Sequence, residues 1–306
     1  MYQIFSQITP FFLLIGLGWC IFKLKIGSTS WLKPLGDFAF FIGFPALIFS
    51  NLTAKNIDYN LIEGSFLRLS SLLFGTLVLL FVFLKKQVKS NQMKATLIIC
   101  FLFGNAAFLG IPLVTKLNPD MAQVASLNAS IMLFWVFSIG LILAESYTKK
   151  DYSIKRTLYS LVKNPLLLSV VFGISFSLGK FSIPELIQYP IKMVGEAVTP
   201  LVMIMIGLFV ASQPPPTKER LKHSFIFSIF KLFVFPLLGL VVFSLFNKQE
   251  LSSLVQFAMP TAITPFILAE RYELDQTFIS NSIIISTLLS FFTIPVIIYL
   301  FNFVSI

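Results

Sequence analysis

Ten apolar runs, each about the length that crosses a bilayer, alternate with short polar pieces along the 306 residues of this chain. They fall at about 4–22, 35–53, 65–84, 95–115, 122–145, 158–179, 187–211, 224–246, 252–271 and 277–303. A spanning helix takes about 20 predominantly apolar residues, so ten of them use roughly 200 and leave about ten per connection. Only 12% of the residues are charged and 57% are hydrophobic, whereas soluble chains carry about 25% charge. That balance excludes a water-soluble enzyme with a polar surface, and the hydrophobicity excludes disorder. An all-α polytopic membrane protein remains. Met1-Tyr2-Gln3 offers no positive n-region, so the first run is expected to be a span and not a cleaved leader.

The formal net charge is +10. In a soluble chain that would suggest nucleic acid; here it is expected to mark cytoplasmic loops, and no nucleic-acid partner is expected. With the N-terminus outside, the inner connections hold 16 basic residues, among them Lys85, Lys86, Lys89, Lys149, Lys150 and Arg156, and the outer ones hold six. Both termini are therefore expected on the extracytoplasmic side. The basic loops would face water or anionic lipid headgroups. Cys20 and Cys100 lie in apolar runs and are expected to be core thiols, not a disulfide pair.

A long internal repeat is visible in the helix breakers. Pro10 matches Pro165, Pro45 matches Pro200, Asn105 matches Pro260, and Gly110 matches Pro265, each at an offset of 155. Breakers at corresponding places in two halves mark a duplicated transporter. Each half carries five spans, and an odd number inverts the second half. The expected organisation is repeat one over 1–148, a short cytoplasmic linker at 149–157, and repeat two over 158–306.

Runs four and nine each hold two breakers near mid-span: Gly104-Asn105-Ala106-Ala107-Phe108-Leu109-Gly110-Ile111-Pro112, and Met259-Pro260-Thr261-Ala262-Ile263-Thr264-Pro265. Proline removes a backbone hydrogen bond, and carbonyls freed inside lipid need another partner. Both runs are expected to be discontinuous helices crossing at the membrane midplane. Half-helix N-termini there suit an anion. Asn105 would add an amide, and Thr261 and Thr264 would add hydroxyls. The alternative is that these prolines only kink the helices for packing.

Ionisable residues inside spans are the other candidates, for coupling or gating. Lys231 lies in run eight; it is either a substrate or coupling charge, paired with Glu270, or a lysine snorkelling to the inner surface. Glu196 either carries a coupling proton or forms an i,i+4 pair with Lys192. Glu270-Arg271 is either an inner gate or a solvated helix end. Lys33 with Asp37 is expected to be a surface ion pair. Arg68 is expected to snorkel. Trp31 fits an interfacial anchor, and His223 a solvated basic loop.

The segment Gly104 to Pro112 resembles the G-N-x-x-F-L-G-I-P signature of the auxin efflux carrier family of permeases. Phe44-Pro45-Ala46-Leu47-Ile48-Phe49, Lys163-Asn164-Pro165, Lys231-Leu232-Phe233-Val234-Phe235-Pro236, and Ala258-Met259-Pro260-Thr261 through Ala269-Glu270-Arg271-Tyr272 are similar to the family's second, sixth, eighth and ninth spans. The resemblance implies ten spans in two inverted five-helix halves and a crossover of spans four and nine. It implies a core of spans three, four, five, eight, nine and ten, and a scaffold of spans one, two, six and seven. Implied substrates are organic anions: auxin in plants, dicarboxylates such as malonate or malate in bacterial members. It further implies substrate contact at Asn105, with Pro112 and Pro260 shaping the crossover. Plant carriers often have a long hydrophilic loop between spans five and six. Here that loop is about ten residues, which favours a compact bacterial-type member in the inner membrane over a plant auxin carrier.

Together these readings give a secondary transporter for a small organic anion, working by alternating access, with H+ or Na+ as the possible coupling ion. No P-loop codes for ATP use and no H-E-x-x-H cluster codes for a metalloenzyme, so neither a cofactor nor a metal is expected. The alternatives within the membrane are a sodium-coupled symporter of the bile-acid type, a channel, or a sensor on the same fold. A homodimer is plausible by analogy alone.

Overall fold

In the computed structural model of the chain, residues 2–54, 57–148, 155, 159, 162–215, 217–245, 251–269 and 272–304 are described. All regular structure among them is helical. The helices are α1 (Tyr2–Lys23), α2 (Thr29–Thr53), α3 (Tyr59–Gln87), α4 (Asn91–Leu102), α5 (Ala106–Leu117) and α6 (Pro119–Thr148). They continue as α7 (Pro165–Leu178), α8 (Glu185–Ser212), α9 (Lys218–Val241), α10 (Leu251–Phe257), α11 (Thr264–Leu268) and α12 (Gln276–Val304).

Seven of the described helices are long and apolar enough to cross a membrane: α1, α2, α3, α6, α8, α9 and α12. The other three apolar runs do not appear as single long helices. Run four divides into α4 and α5, run nine into α10 and α11, and run six contributes Pro165–Leu178 within the described residues. Two pairs of helix ends fall 155 residues apart. Lys23 ends α1 and Leu178 ends α7; Leu102 ends α4 and Phe257 ends α10. Lys25 and Lys180, also 155 apart, both take a left-handed backbone just after their helices, with φ of 59° and 53°.

Proline follows three of the four π-helical turns among the described residues; the fourth, Val136–Gly140, has none near it. Three π-helical turns, Ala39–Gly43, Ala106–Gly110 and Phe230–Val234, end two residues before Pro45, Pro112 and Pro236. Proline has no N–H for the carbonyl one turn back, and a widened turn is one way to re-route that bonding.

The chain forms two compact units, each drawing on both sequence halves. One comprises Met1–Ser65, Ala107–Ser130 and Val162–Pro214. In it α1 packs along α8, and α2 packs against α7 and α8. Small residues set the α1–α8 spacing. A Cβ on Gly18 would stand 2.0 Å from the Ile204 carbonyl oxygen, and one on Gly207 would stand 1.9 Å from that of Ile15. Backbones this close gain dispersion contacts that lipid does not match, which is how helices associate in a membrane. Phe44 and Phe108 stack with centroids 3.9 Å apart, and Asn51 donates to Ser126 at 2.9 Å.

The other unit comprises Phe66–Ala106, Ile131–Leu161 and Pro215–Ile306. Here α9 and α10 pack on α12, and α4 packs on the C-terminal part of α6. Leu254, Ala258 and Ile297 form a buried cluster with Phe233 and Leu240 against it. Trp135 donates from its indole to Ser70 at 2.9 Å. α12 carries Ser282, Ser286 and Ser290 at four-residue intervals, all buried, so one face of that span is small and polar.

Large apolar side chains also cover outer faces: Leu13, Phe41, Phe74, Leu79, Phe172, Val241, Leu288 and Phe292 are exposed. Helices apolar both inward and outward require lipid, not water, around them. Trp31 is exposed, and Lys33 pairs with Asp37 at 2.6 Å. Two expectations change. Cys20 is exposed, not in the core, because it lies on an outward face of α1. Arg68 is buried, not extended to a surface.

Candidate functional site

The break after α4 is local chemistry. Ser90 caps α4, its hydroxyl accepting from the Met93 N–H. The ladder continues to Phe103, whose N–H donates to the Ile99 carbonyl at 2.9 Å. It then stops: the Gly104 N–H turns to the Leu102 carbonyl at 2.9 Å, and the Asn105 N–H leaves the helix. On the other chain segment α10 ends at Phe257, and Pro260 has no N–H to continue it.

The two unwound segments satisfy each other. The Asn105 N–H donates to the Pro260 carbonyl at 2.7 Å, and the Ala262 N–H donates to the Phe103 carbonyl at 2.9 Å. Gly104 and Thr261 therefore face each other as one antiparallel bridge. The remaining backbone groups find side chains. The Thr261 N–H donates to Ser286 Oγ at 3.0 Å, and Gln256 Nε2 donates to the Ala106 carbonyl at 3.3 Å. Irregular backbone at membrane depth needs such partners, because lipid supplies none.

Two side chains at the bridge are left over. Asn105 is 3% exposed and Thr261 is 1% exposed, yet Asn105 Oδ1 and Thr261 Oγ1 have no hydrogen-bond partner among the described residues. A buried polar atom without a partner costs about 1–3 kcal/mol. Atoms in that condition at a helix break point to a ligand or water.

Lys231 stands beside them. It sits in the π-helical turn of α9 and is 1% exposed. Its Nζ donates to the carbonyls of Cys100 at 2.8 Å and Phe101 at 2.6 Å. Phe101, Phe235 and Phe257 form a dry wall nearby, with centroids 4.9 and 4.7 Å apart in sequence along the row. A Cβ built on Gly104 would lie 4.0 Å from Nζ, so the ammonium adjoins the residue next to Asn105. Neither snorkelling nor a carboxylate partner describes this lysine among the described residues.

The structure thus brings Gly104, Asn105, Pro260, Thr261 and Lys231 together in one unit. Thr264 opens α11 in the same unit and is half-buried, with Pro265 at the helix start. Pro112 occupies the start of the α-helical part of α5, in the other unit, and is half-buried. Glu196 also belongs to that other unit; it is exposed on α8, 3.8 Å from Lys192. Glu270 and Arg271 lie outside the described residues, as do Lys149 and Lys150. Sequence reasoning missed Gln256 and Ser286. The signal for Gln256 was an amide in an apolar run; for Ser286 it was the four-residue serine spacing of run ten.

Broken helices that pair through their backbones, among helices apolar on their outer faces, define a polytopic helical membrane protein with a polar pair held at the break. The chain belongs to the membrane transport protein family, that of the auxin efflux carriers, whose profile matches residues 3–298. It is 27% identical to an uncharacterised transporter of Methanocaldococcus jannaschii over 277 residues, 86% of this chain and 87% of that one. It is 26% identical to auxin efflux carrier component 6 of Arabidopsis thaliana over 137 residues, 42% of this chain and 24% of that one. It is 24% identical to the lysosomal cholesterol signaling protein of Mus musculus over 94% of this chain, which spans 36% of that protein.

Proposed function

We propose that this chain is a secondary active transporter for a small organic anion, with Asn105 and Thr261 as its substrate contacts. The observation that carries the reading is the buried, partnerless pair at the Gly104–Thr261 bridge, with the Lys231 ammonium beside it. The Thr261 hydroxyl and the Asn105 Nδ2 amide can donate to a carboxylate, and such bonds to a charged acceptor are about twice as strong as neutral ones, while the orphaned Asn105 Oδ1, an acceptor, is left for a hydroxyl or water. A buried positive charge close by favours an anion over a neutral molecule. Membership in the transporter family and likeness to auxin efflux carriers, whose cargo is itself an organic acid, support the same class.

In this reading the spans form two inverted repeats, 1–148 and 158–306, with the unwound segments of runs four and nine as the crossover. Shared helix ends at the 155-residue offset support that arrangement. Transport proceeds by alternating access, the site opening to one side at a time. The basic-residue asymmetry supports a cytoplasmic linker at 149–157 and both termini outside. Pro112 and Pro260 fix the break points. Thr264 adds a hydroxyl near the site. Glu196 beside Lys192 fits a solvated pair better than a proton carrier.

A thermal-shift panel tests the binding claim on the purified chain. Malonate, malate and indole-3-acetate are compared with their neutral amides. An organic acid at about 100 times its Kd is expected to stabilise by ~2.7 kcal/mol, and the matching amide by much less. Equal stabilisation by acid and amide would contradict an anion site.

A further inference from the structure

The break in the helix leaves two backbone carbonyls to account for. In a continuous helix the Cys100 carbonyl would accept from the Gly104 N–H and the Phe101 carbonyl from the Asn105 N–H. Both N–H groups go elsewhere, to Leu102 and to Pro260. The two carbonyls are the negative end of α4, where the helix dipole favours a cation. They are also buried in a dry setting, since Cys100 and Phe101 are 0% and 1% exposed. Unwound carbonyls and half-helix C-termini of this kind are where transporters hold a sodium ion. Here the place is filled from within the chain: Lys231 Nζ makes bonds of 2.8 and 2.6 Å to these two oxygens.

The rest of the local structure serves that placement. Pro236 removes an N–H from α9, and the turn at Phe230–Val234 opens into a π-helix. That widened turn carries Lys231 inward. The Phe101 ring lies 5.7 Å from the ammonium, close enough for its π face to help hold the charge.

We propose that the Lys231 ammonium is a tethered cation, occupying the carbonyl cradle of the broken fourth run in place of a transported sodium ion. The cation that other carriers must recruit from solution is then supplied by the chain itself, and the cycle of this chain requires no sodium at that place. Nζ adjoins Gly104, the residue before Asn105, so the anion meets a site whose positive partner is tethered to the chain. The coupling half of this inference rests on the carrier reading; the cradle itself does not.

The test therefore starts with a readout independent of transport. Purified full-length chain and its Lys231→Ala variant are melted in choline, sodium and methylammonium chloride. Wild type is expected to melt within about 1 °C in all three salts, because its cradle is filled. Lys231→Ala is expected to melt lower in choline and to recover by roughly 2–4 °C or more in sodium or methylammonium. Stabilisation of wild type by sodium over choline would overturn the proposal without any variant. So would a Lys231→Ala protein that melts like wild type and ignores the salt. Lys231→Arg, which keeps the charge, is expected to behave as wild type; a sodium response from it would also count against a filled cradle.

A flux arm then reads the coupling. Organic-acid uptake by wild-type proteoliposomes is expected to change less than about twofold when choline replaces sodium, and a tenfold loss would overturn the sodium-free cycle. Absence of any organic-acid flux would instead count against the carrier reading, leaving the melting result to judge the cradle.

Discussion

Asn105→Ala is expected to cut organic-anion transport by roughly 10- to 150-fold, the loss of one hydrogen bond to a charged group at about 1.5–3 kcal/mol. Insertion and stability are expected to survive. Asn105 Oδ1 has no hydrogen-bond partner among the described residues, so truncating the side chain removes no bond that this oxygen accepts within the protein. Its backbone N–H, which holds the bridge to Pro260 at 2.7 Å, remains in alanine. A purely structural asparagine would behave the opposite way, losing stability along with transport. Asn105→Asp sharpens the distinction. It keeps the shape but sets a negative charge where an anion must bind, and transport is expected to fall at least as far. Uptake in proteoliposomes, normalised to inserted protein, checks both. Wild-type uptake by the alanine variant would remove Asn105 from the site.

The second large effect lies in the α1–α8 pair. Gly207→Ala is expected to destabilise by about 1–3 kcal/mol, the cost of overpacking, and to lower the melting temperature by roughly 2–12 °C. An added Cβ would meet the Ile15 carbonyl oxygen at 1.9 Å, the Trp19 nitrogen at 2.8 Å and the Gly18 Cα at 2.9 Å. All three are backbone atoms, which cannot rotate aside, so the helices must separate. Gly18→Ala meets the Ile204 carbonyl at 2.0 Å and is expected to cost a similar amount. The double variant is expected to cost less than the two singles combined, because helices already forced apart accept the second methyl group. Gly16→Ala is the control on the same helix. Nothing lies within 4 Å of its added Cβ, and alanine is the better helix former by about 0.8–1.0 kcal/mol. It is expected to be neutral or slightly stabilising. Melting curves in detergent compare all four, and a Gly207→Ala protein as stable as the Gly16→Ala control would contradict the close approach.

The apolar runs and the breakers made the helices, the interruptions at Asn105 and Pro260, and the family legible from the residues alone. They are local features, fixed by solvation and by backbone chemistry. What the sequence left open depends on pairings across long stretches of chain. Lys231 had two readings because its partners are carbonyl oxygens 130 and 131 residues away, and every residue type carries those. Gln256 and Ser286 were missed for the same reason, since their partners are backbone groups of Ala106 and Thr261. Arg68 was expected at a surface because its distance from the end of an apolar run suggested it, and burial depends on neighbours that such a distance does not encode. Cys20 is exposed for a related reason: an apolar run in a membrane chain has a lipid face as well as a core face.

Counterflow bears most directly on the central reading, that this chain carries small organic anions through a site at Asn105 and Thr261. Proteoliposomes loaded with an excess of unlabelled acid, taken from the thermal-shift panel, are diluted into a trace of the same acid with label. A carrier with a saturable site is expected to accumulate label transiently above the outside concentration, and the Asn105→Ala protein is expected to lose that overshoot. Label that only equilibrates, with flux rising linearly with concentration and no difference between wild type and Asn105→Ala, would contradict both the carrier mechanism and the site.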